Sequence, residues 1–251
     1  MTRVLVTGST DGLGRAAAEA LLEQGHDVVV HARNEGRLGA LRDLQDRGAA
    51  AVVGDLADME ETRGVADQAD QLGRMDAVIH NAGVLGGPDV LPVNVIAPYL
   101  LTVLMFRSPR LIYLSSNMHR GGRASLAGID WSGRRSTGSY SDSKLFVTAF
   151  AVAVARLWAG VSSNAVNPGW VATKMGGPNA RDDLALGHVT QAWLATSDDP
   201  EAHTSGGYWF HQQRTEPAPG VHDRRFQDEL LESLATFTGT PLVPDGIIPT
   251  A

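Results

Sequence analysis

The first hundred residues alternate short apolar runs with segments of helical periodicity. The runs RVLVTG, DVVVHAR, AAVVGDL and MDAVIHNAG are separated by helical patterns such as RAAAEALLEQG. Continuous apolar strands with helices between them are typical of a parallel sheet that is covered on both faces. The pattern therefore predicts an α/β fold with a doubly wound parallel sheet.

The alternation continues into the second half of the chain. A helix is predicted over VNVIAPYLLTVLMF, a strand over RLIYLSS, a helix over SYSDSKLFVTAFAVAVARLWA and a strand over VSSNAVNPG. Beyond Pro168 the pattern loosens, and we expect a lid over 173–204 with a helix around 182–196, followed by a last strand in GGYWFH. No repeat or linker interrupts the chain, so residues 1–251 are expected to form one domain.

Composition narrows the range of functions. A chain of 251 residues with 43% hydrophobic content can bury a sizeable core, and its net charge of -7 argues against nucleic-acid or membrane-surface binding. The absence of cysteine excludes disulfides and thiolate chemistry, and the eight histidines lack metal-binding spacing, so no metal is expected. Without a signal peptide or an apolar run of about 18 residues, we expect a soluble, cytoplasmic protein.

The stretch TGSTDGLG places Gly8, Gly12 and Gly14 between a predicted strand and a predicted helix. Glycine at such a turn lets the backbone approach a phosphate closely, while the amino end of the helix favours negative charge. A tight turn that binds nothing would also favour glycine. The stretch thus indicates a phosphate site without establishing one.

Further motifs give the chain its resemblance to a family. TGSTDGLG resembles the cofactor fingerprint of the short-chain dehydrogenase/reductase family, and the family's other motifs follow in order from about residue 4 to 210: Asp55, HNAG (80–83), Asn94, LSS (114–116), Tyr140 to Lys144 and NPGWVATK (167–174). The tail is similar to that of the retinol-dehydrogenase-like branch. The resemblance implies a Rossmann-type fold, with a cofactor half in 1–110, a catalytic half in 111–211 that includes a lid at 174–205, and a tail in 212–251.

The resemblance also implies the catalytic residues. Tyr140 would be the general acid/base, and Lys144, one helical turn away, would favour its phenolate and bind the nicotinamide ribose. Of the two adjacent serines, the family pattern favours Ser116 as the substrate-oxygen partner and leaves Ser115 a structural hydroxyl. Asn94 would open a helix backbone for a proton-relaying water, although asparagine is also a common helix cap.

Cofactor choice depends on the end of the second strand. Ala32 stands where an NAD enzyme usually has a carboxylate, and Arg33 follows it, which favours NADP(H) over NAD because an arginine can bind a 2′-phosphate. Asn81 has an equally good interpretation as a tie between strands. The cofactor contacts that the resemblance implies are Gly8, Ser9, Thr10, Gly12, Leu13, Gly14, Arg33, Asp55, Leu56, Asn81, Ala82, Gly83, Tyr140, Lys144, Pro168, Gly169, Val171 and Thr173.

Function is therefore expected to be hydride transfer between NADP(H) and a small-molecule carbonyl or alcohol substrate. Two alternatives stay open: an epimerase or dehydratase on the same scaffold, and a cofactor-binding redox regulator without turnover. Epimerases usually have TGxxGxxG and a longer substrate domain, and regulators typically lose the tyrosine or lysine. The segment VLGGPDVLP is shorter than expected, which leaves the register of Asn94 to be tested.

Assembly is predicted from the helix that carries Tyr140. Residues 145–158, LFVTAFAVAVARLW, are apolar nearly all round, and VIAPYLLTVLM has the same character. Exposed together, the two helices would form an apolar patch larger than monomers usually tolerate, so a homodimer, or a homotetramer, is predicted. The alternative is that the chain's own tail, 212–251, covers the patch.

Overall fold

A computed structural model describes residues 1–246 of the chain. Its centre is one eight-stranded sheet with the order β3-β2-β1-β4-β5-β6-β7-β8, in which only β8 runs antiparallel to its neighbour. The strands are β1 (Arg3–Val6), β2 (Asp27–Ala32), β3 (Ala50–Val53), β4 (Ala77–His80), β5 (Arg110–Leu114), β6 (Ser162–Val166), β7 (Tyr208–Phe210) and β8 (Gln213–Thr215). This is the predicted Rossmann-type doubly wound sheet.

Helices cover both faces of the sheet, so the apolar strands are buried on both sides. The helices are α1 (Gly12–Glu23), α2 (Arg42–Asp46), α3 (Met59–Gln71), α4 (Ala97–Leu104), α5 (Tyr140–Leu157), α6 (Val189–Thr196) and α7 (Arg224–Thr238). None of the helices in residues 1–246 is long and apolar enough to cross a membrane.

The strand order fixes where a ligand can bind. β1 pairs with β2 on one side and with β4 on the other, so the chain changes direction across the sheet between β1 and β4. Crevices form at the carboxyl ends of strands at such a point. The glycine-rich turn after β1, the HNAG segment after β4 and the serine pair after β5 all lie at this edge.

The C-terminal tail covers the apolar face of α5. Phe226, Leu230 and Leu234 of α7 are buried in the same core cluster as α5, and Arg156 of α5 pairs with Asp228 of α7. The premise of an exposed apolar patch is therefore wrong, and the alternative that the sequence left open is the one observed. The oligomeric state itself is not tested by this arrangement.

Three elements differ from the predicted ones. The helix around 182–196 is shorter, since α6 begins at Val189 after a single helical turn at Leu184–Leu186. The predicted tail contains a full helix, α7, which Asp223 caps at its start and Gly239 ends in the left-handed conformation. Strand β8 follows β7 through a two-residue turn in which His211 and Gln212 have φ of 49° and 59°.

Candidate active site

The glycine-rich turn after β1 has the close packing that its sequence predicted. Gly8 and Gly12 have φ of +68° and +58°, a region that favours glycine. A Cβ on Gly14 would lie 2.3 Å from Asn81 Nδ2 and 2.4 Å from the Gly8 carbonyl oxygen. Ser9 is fully buried, and its hydroxyl donates to the Val6 carbonyl and accepts from His31 N. Ser9 therefore supports the turn from beneath.

The amino end of α1 is open to an anion. Asp11 occupies the capping position in an extended conformation, but its side chain makes no capping hydrogen bond and the first turn contains no acidic residue. The Asp11 carboxylate turns instead to Lys174 Nζ at 2.7 Å and Arg37 Nη2 at 3.2 Å, and the hydrogen bond from Lys174 holds the pKa of Asp11 below its usual value. The free N–H groups of the turn fit a phosphate group.

Cationic side chains line the cavity above this turn. Arg33 is exposed, and its Nε lies 3.9 Å from Asp55 Oδ2. Arg37, one helical turn later, also donates to Thr10 Oγ1 at 2.9 Å. Both arginines border a cavity of about 430 Å³ that the glycine-rich turn also lines. The residues present therefore fit an anionic cofactor with a further phosphate at the end of β2.

Asn81 ties the segment after β4 to the turn after β1. Its Nδ2 donates to the Thr7 carbonyl at 2.9 Å and to the Gly8 carbonyl at 3.3 Å. Thr7 Oγ1 accepts in return from the backbone N–H groups of Asn81 and Ala82, each at 3.0 Å. The side chain of Asn81 thus has the strand-tying geometry that was one of its two interpretations, while the residue also borders the cavity.

Tyr140 and Lys144 lie together at the start of α5. The helix begins with a capping box, in which Ser139 and Asp142 exchange hydrogen bonds. Lys144 is only 4% exposed, its Nζ donates to the Leu114 carbonyl at 2.7 Å, and it lies 5.5 Å from the centroid of the Tyr140 ring. The predicted four-residue spacing therefore brings both groups to one end of the helix.

Burial dominates the protonation of this pair. It lowers the pKa of Lys144 from 10.5 to about 8. It raises the pKa of Tyr140, and the nearby Ser116 hydroxyl lowers that pKa in part. Burial thus outweighs any stabilisation of the Tyr140 phenolate by the Lys144 ammonium in the free protein.

Hydrogen-bond direction separates the two candidate serines. Thr148 Oγ1 uses its proton on the Lys144 carbonyl at 2.6 Å, so Ser115 must donate its own proton to Thr148, also at 2.6 Å. Ser116 Oγ only accepts, from Met118 N at 3.2 Å, which leaves its proton free beside Tyr140. The geometry favours Ser116 as the hydroxyl that donates to a substrate oxygen.

Asn94 lies on a π-helical turn at Pro92–Ile96, just before α4. Its amide exchanges hydrogen bonds with the backbone of Val84, at 2.8 and 3.0 Å, and donates to Ser143 Oγ at 2.9 Å. It is 2% exposed and lies beside Gly83, whose other close neighbour is Lys144 Nζ. The short preceding segment has therefore not displaced Asn94 from the Tyr140–Lys144 pair.

Two cavities meet at Tyr140. The first, of about 430 Å³, borders most of the predicted cofactor residues: Gly8, Thr10, Gly12, Leu13, Arg33, Asp55, Leu56, Asn81, Ala82, Gly83, Tyr140, Lys144, Pro168 and Thr173. The second, of about 920 Å³, borders the catalytic candidate Ser116 and two further predicted cofactor residues, Gly169 and Val171. Ser9, Gly14 and Asn94 border neither of these two cavities.

Sequence reasoning missed two features of the site. The lid residue Lys174 contacts Asp11 across the first cavity, a pairing that no local pattern indicates. Tyr208, which was predicted only as part of a last strand, has its ring in the wall of the second cavity. Alternation along so short a strand does not indicate which side of the sheet a residue faces.

Comparison with known proteins places this geometry in a family. The family model for short chain dehydrogenases matches residues 2–107. The chain is 36% identical to short-chain dehydrogenase chyC of Penicillium rubens, over 96% of this chain and 99% of that protein. It is 25% identical to human retinol dehydrogenase 13, over 94% of this chain and 84% of that protein. Among solved structures, a Beutenbergia cavernae protein with bound NADP matches with a TM-score of 0.67 at 25% identity, over 82% of this chain and 93% of that one.

The chain belongs to the short-chain dehydrogenase family. It is an oxidoreductase of the class that acts on CH–OH and C=O groups, and the match to retinol dehydrogenase 13 agrees with the resemblance of its tail.

The buried ammonium of Lys144 predicts a pH-dependent stability. The folded pKa of about 8 lies below the ordinary 10.5, so the folded state loses its proton first and the wild type gains stability as the pH rises between these values. Relative to Lys144→Met, the free energy of unfolding should rise by about 2–4 kcal/mol from pH 7 to pH 10.5. Urea titrations at several pH values measure this difference. Lys174→Met, at the chain's other and exposed lysine, is the control, and equal pH profiles for the wild type and Lys144→Met would contradict the assignment.

Proposed function

We propose that the protein is an NADP(H)-dependent oxidoreductase that interconverts a ketone or aldehyde and its alcohol. The observation that carries this proposal is the position of Tyr140, whose side chain borders both the cavity above the glycine-rich turn and the larger cavity beside the lid. A proton-transferring group at the junction of two cavities can serve a reaction between a molecule held in each.

Each polar group near the junction has a separate role. Ser116, with its proton free, donates to the substrate oxygen and stabilises the negative charge that develops there. Tyr140 donates its proton to the same oxygen during reduction and takes it back during oxidation. Lys144 keeps two N–H donors beyond the one given to Leu114, and they face the first cavity. Asn94 opens the helix backbone near Lys144 and supports a water-mediated path for the proton.

NADP(H) fits the first cavity better than NAD. The nicotinamide of NADPH, when bound, supplies the hydride. Arg33 and Arg37 border the cavity where a 2′-phosphate would lie, and Ala32 offers no carboxylate there. The similar Beutenbergia cavernae protein, crystallised with bound NADP, supports the same choice. The physiological substrate is a small-molecule carbonyl or alcohol, and a cytoplasmic location stays a prediction.

Tyr140→Phe tests the reaction directly. Loss of the hydroxyl removes proton transfer while the ring still packs, so kcat for ketone reduction should fall by about 100-fold or more. NADPH oxidation, followed by absorbance across a panel of aldehydes, ketones and secondary alcohols, measures this. Tyr99→Phe removes a hydroxyl that bonds the Thr240 carbonyl outside both cavities and is the matched control. Retention of more than a few per cent of turnover by Tyr140→Phe, with cofactor still bound, would overturn the assignment.

Arg33→Ala tests cofactor choice. Loss of a charge-assisted contact worth about 1.5–3 kcal/mol should weaken NADPH binding roughly ten- to a hundredfold and leave NADH binding nearly unchanged. Calorimetric titration of both cofactors measures the two affinities. Arg74→Ala, an exposed arginine before β4 at the opposite edge of the sheet, is the control. Equal losses for NADPH and NADH would contradict the role of Arg33.

The assembly state is a separate question. The sequence predicted a homodimer or homotetramer on the basis of an apolar face on α5 that α7 covers. With that face covered, we expect a monomer, and light scattering at micromolar concentration should give a mass near 26.6 kDa. A mass of two or four chains would show that another surface pairs the subunits, in agreement with the original prediction of an oligomer.

A further inference from the structure

The larger cavity has an apolar wall, and exposed apolar side chains gather at its opening. In residues 1–246 nine large apolar side chains are exposed, and four of them, Leu85, Met118, Trp170 and Met175, border this cavity with exposures between 42% and 53%. Apolar side chains gathered at the mouth of a cavity mark a binding site for an apolar ligand. A volume of about 920 Å³ accommodates a molecule of two or more fused rings.

Several polar groups of this wall are engaged within the protein. Asn167 Oδ1 accepts from Gly169 N at 3.1 Å, and Asp182 Oδ2 accepts from Trp170 N at 2.5 Å. Arg120 donates to the Glu216 carbonyl and to Asn117 Oδ1. These bonds shape the cavity, while the free donors Ser116 and Tyr140 are the ones that the proposed reduction uses.

Tyr208 differs from these groups. It is 3% exposed, and its hydroxyl has no hydrogen-bond partner among the residues that the structure describes. Seven buried side-chain N and O atoms lack a partner in this part of the chain, and the Tyr208 hydroxyl is the one that belongs to a cavity-lining residue. The Ser115 hydroxyl lies near enough to affect the pKa of Tyr208, but it makes no hydrogen bond with it and gives its own proton to Thr148.

The ring of Tyr208 is held in place from behind. His119, fully buried, packs against it with ring centroids 4.7 Å apart. His119 Nδ1 donates to the Ser116 carbonyl at 2.7 Å, and its Nε2 accepts from Ala218 N at 2.9 Å. The ring of Tyr208 is thereby fixed, and its buried hydroxyl lies beside Ser115, next to the loop that carries Ser116. Burial also raises the pKa of Tyr208, so the group stays a protonated donor.

We propose that Tyr208 binds a second oxygen of the substrate, so that the site takes bulky, largely apolar ketones that carry a hydrogen-bond acceptor near the reacting carbonyl. This inference rests on the proposed ketone reduction, because Ser116 and Tyr140 must hold the carbonyl oxygen for Tyr208 to reach its neighbour. A buried donor left unpaired disfavours ligands that lack an acceptor for it. Tyr208 is thus a positioning and specificity residue that leaves proton transfer to Tyr140.

A binding experiment tests the proposal apart from turnover. Three 2-naphthyl ketones are titrated calorimetrically into the enzyme saturated with NADP⁺, which cannot reduce them: one with an unsubstituted alkyl chain, one with a hydroxyl on the first carbon beyond the carbonyl, and one with it on the second. At least one hydroxyketone should bind Tyr208→Phe about three- to tenfold more weakly than the wild type, while the unsubstituted ketone changes less than twofold. In NADPH turnover of the same ketones, the weaker binding should appear as a higher KM, with kcat nearly unchanged.

Stability measurements exclude a merely structural role. Because the hydroxyl has no partner inside the protein, Tyr208→Phe should keep the wild-type Tm, whereas the control Tyr99→Phe, which loses a hydrogen bond, should melt at a lower temperature without any change in ketone binding. A lowered Tm for Tyr208→Phe would show that the hydroxyl is bonded within the protein and would overturn the proposal.

The outcomes separate this proposal from the proposed function. If the ketones bind as expected but are not reduced with NADPH, the reductase assignment fails and the role of Tyr208 stands. If the ketones are reduced, and Tyr208→Phe changes the affinity for all three by the same factor, the role of Tyr208 fails and the reductase assignment stands. If none of the three binds to the wild-type enzyme, the proposed substrate class is wrong.

Discussion

The buried ammonium of Lys144 organises the rest of the site. A charged group with 4% exposure is costly unless it is hydrogen-bonded, and its protein partner is the main-chain carbonyl of Leu114 at the end of β5. This bond fixes the first turn of α5 against the strand end that leads into Ser116. Tyr140, at the first position of the same helix, is thereby brought beside Ser116. This bond, together with the packing of α5 on β5 and β6, holds the three groups near one another.

The position of α5 depends in turn on what covers the helix. The helix α5 is apolar on nearly every side. One face packs on the sheet, and the opposite face must also be buried against another part of the protein. In this chain α7 covers that second face with Phe226, Leu230 and Leu234. The Trp158 indole, at the end of α5, donates to the Val243 carbonyl beyond α7. The C-terminal tail therefore belongs to the scaffold that holds Tyr140 and Lys144 in place.

The alternation of apolar runs and helical patterns predicted the fold. The family resemblance supplied the candidate site residues, because its motifs, glycines at a strand–helix turn and a tyrosine four residues before a lysine, are local in sequence. The amphipathic pattern of α7, between the Asp223 cap and Gly239, was also present in the sequence but was treated as tail. Strand β8, with the polar residues QRT, gives no apolar signal of its own. The choice between Ser115 and Ser116 could be argued physically only once Thr148, 33 residues away, was seen to take the proton of Ser115.

Charge in the first cavity explains how an acidic chain can hold an anion. Arg33, Arg37 and Lys174 lie along its rim, paired with Asp55 and Asp11. All five side chains are more than a third exposed, and such surface pairs contribute little to stability, about 0–1 kcal/mol each. Their effect is instead to orient Arg37 and Lys174 near the open amino end of α1 and Arg33 at the end of β2. A phosphate that enters can take over these cations at little cost to the fold, because the carboxylates it displaces return to water.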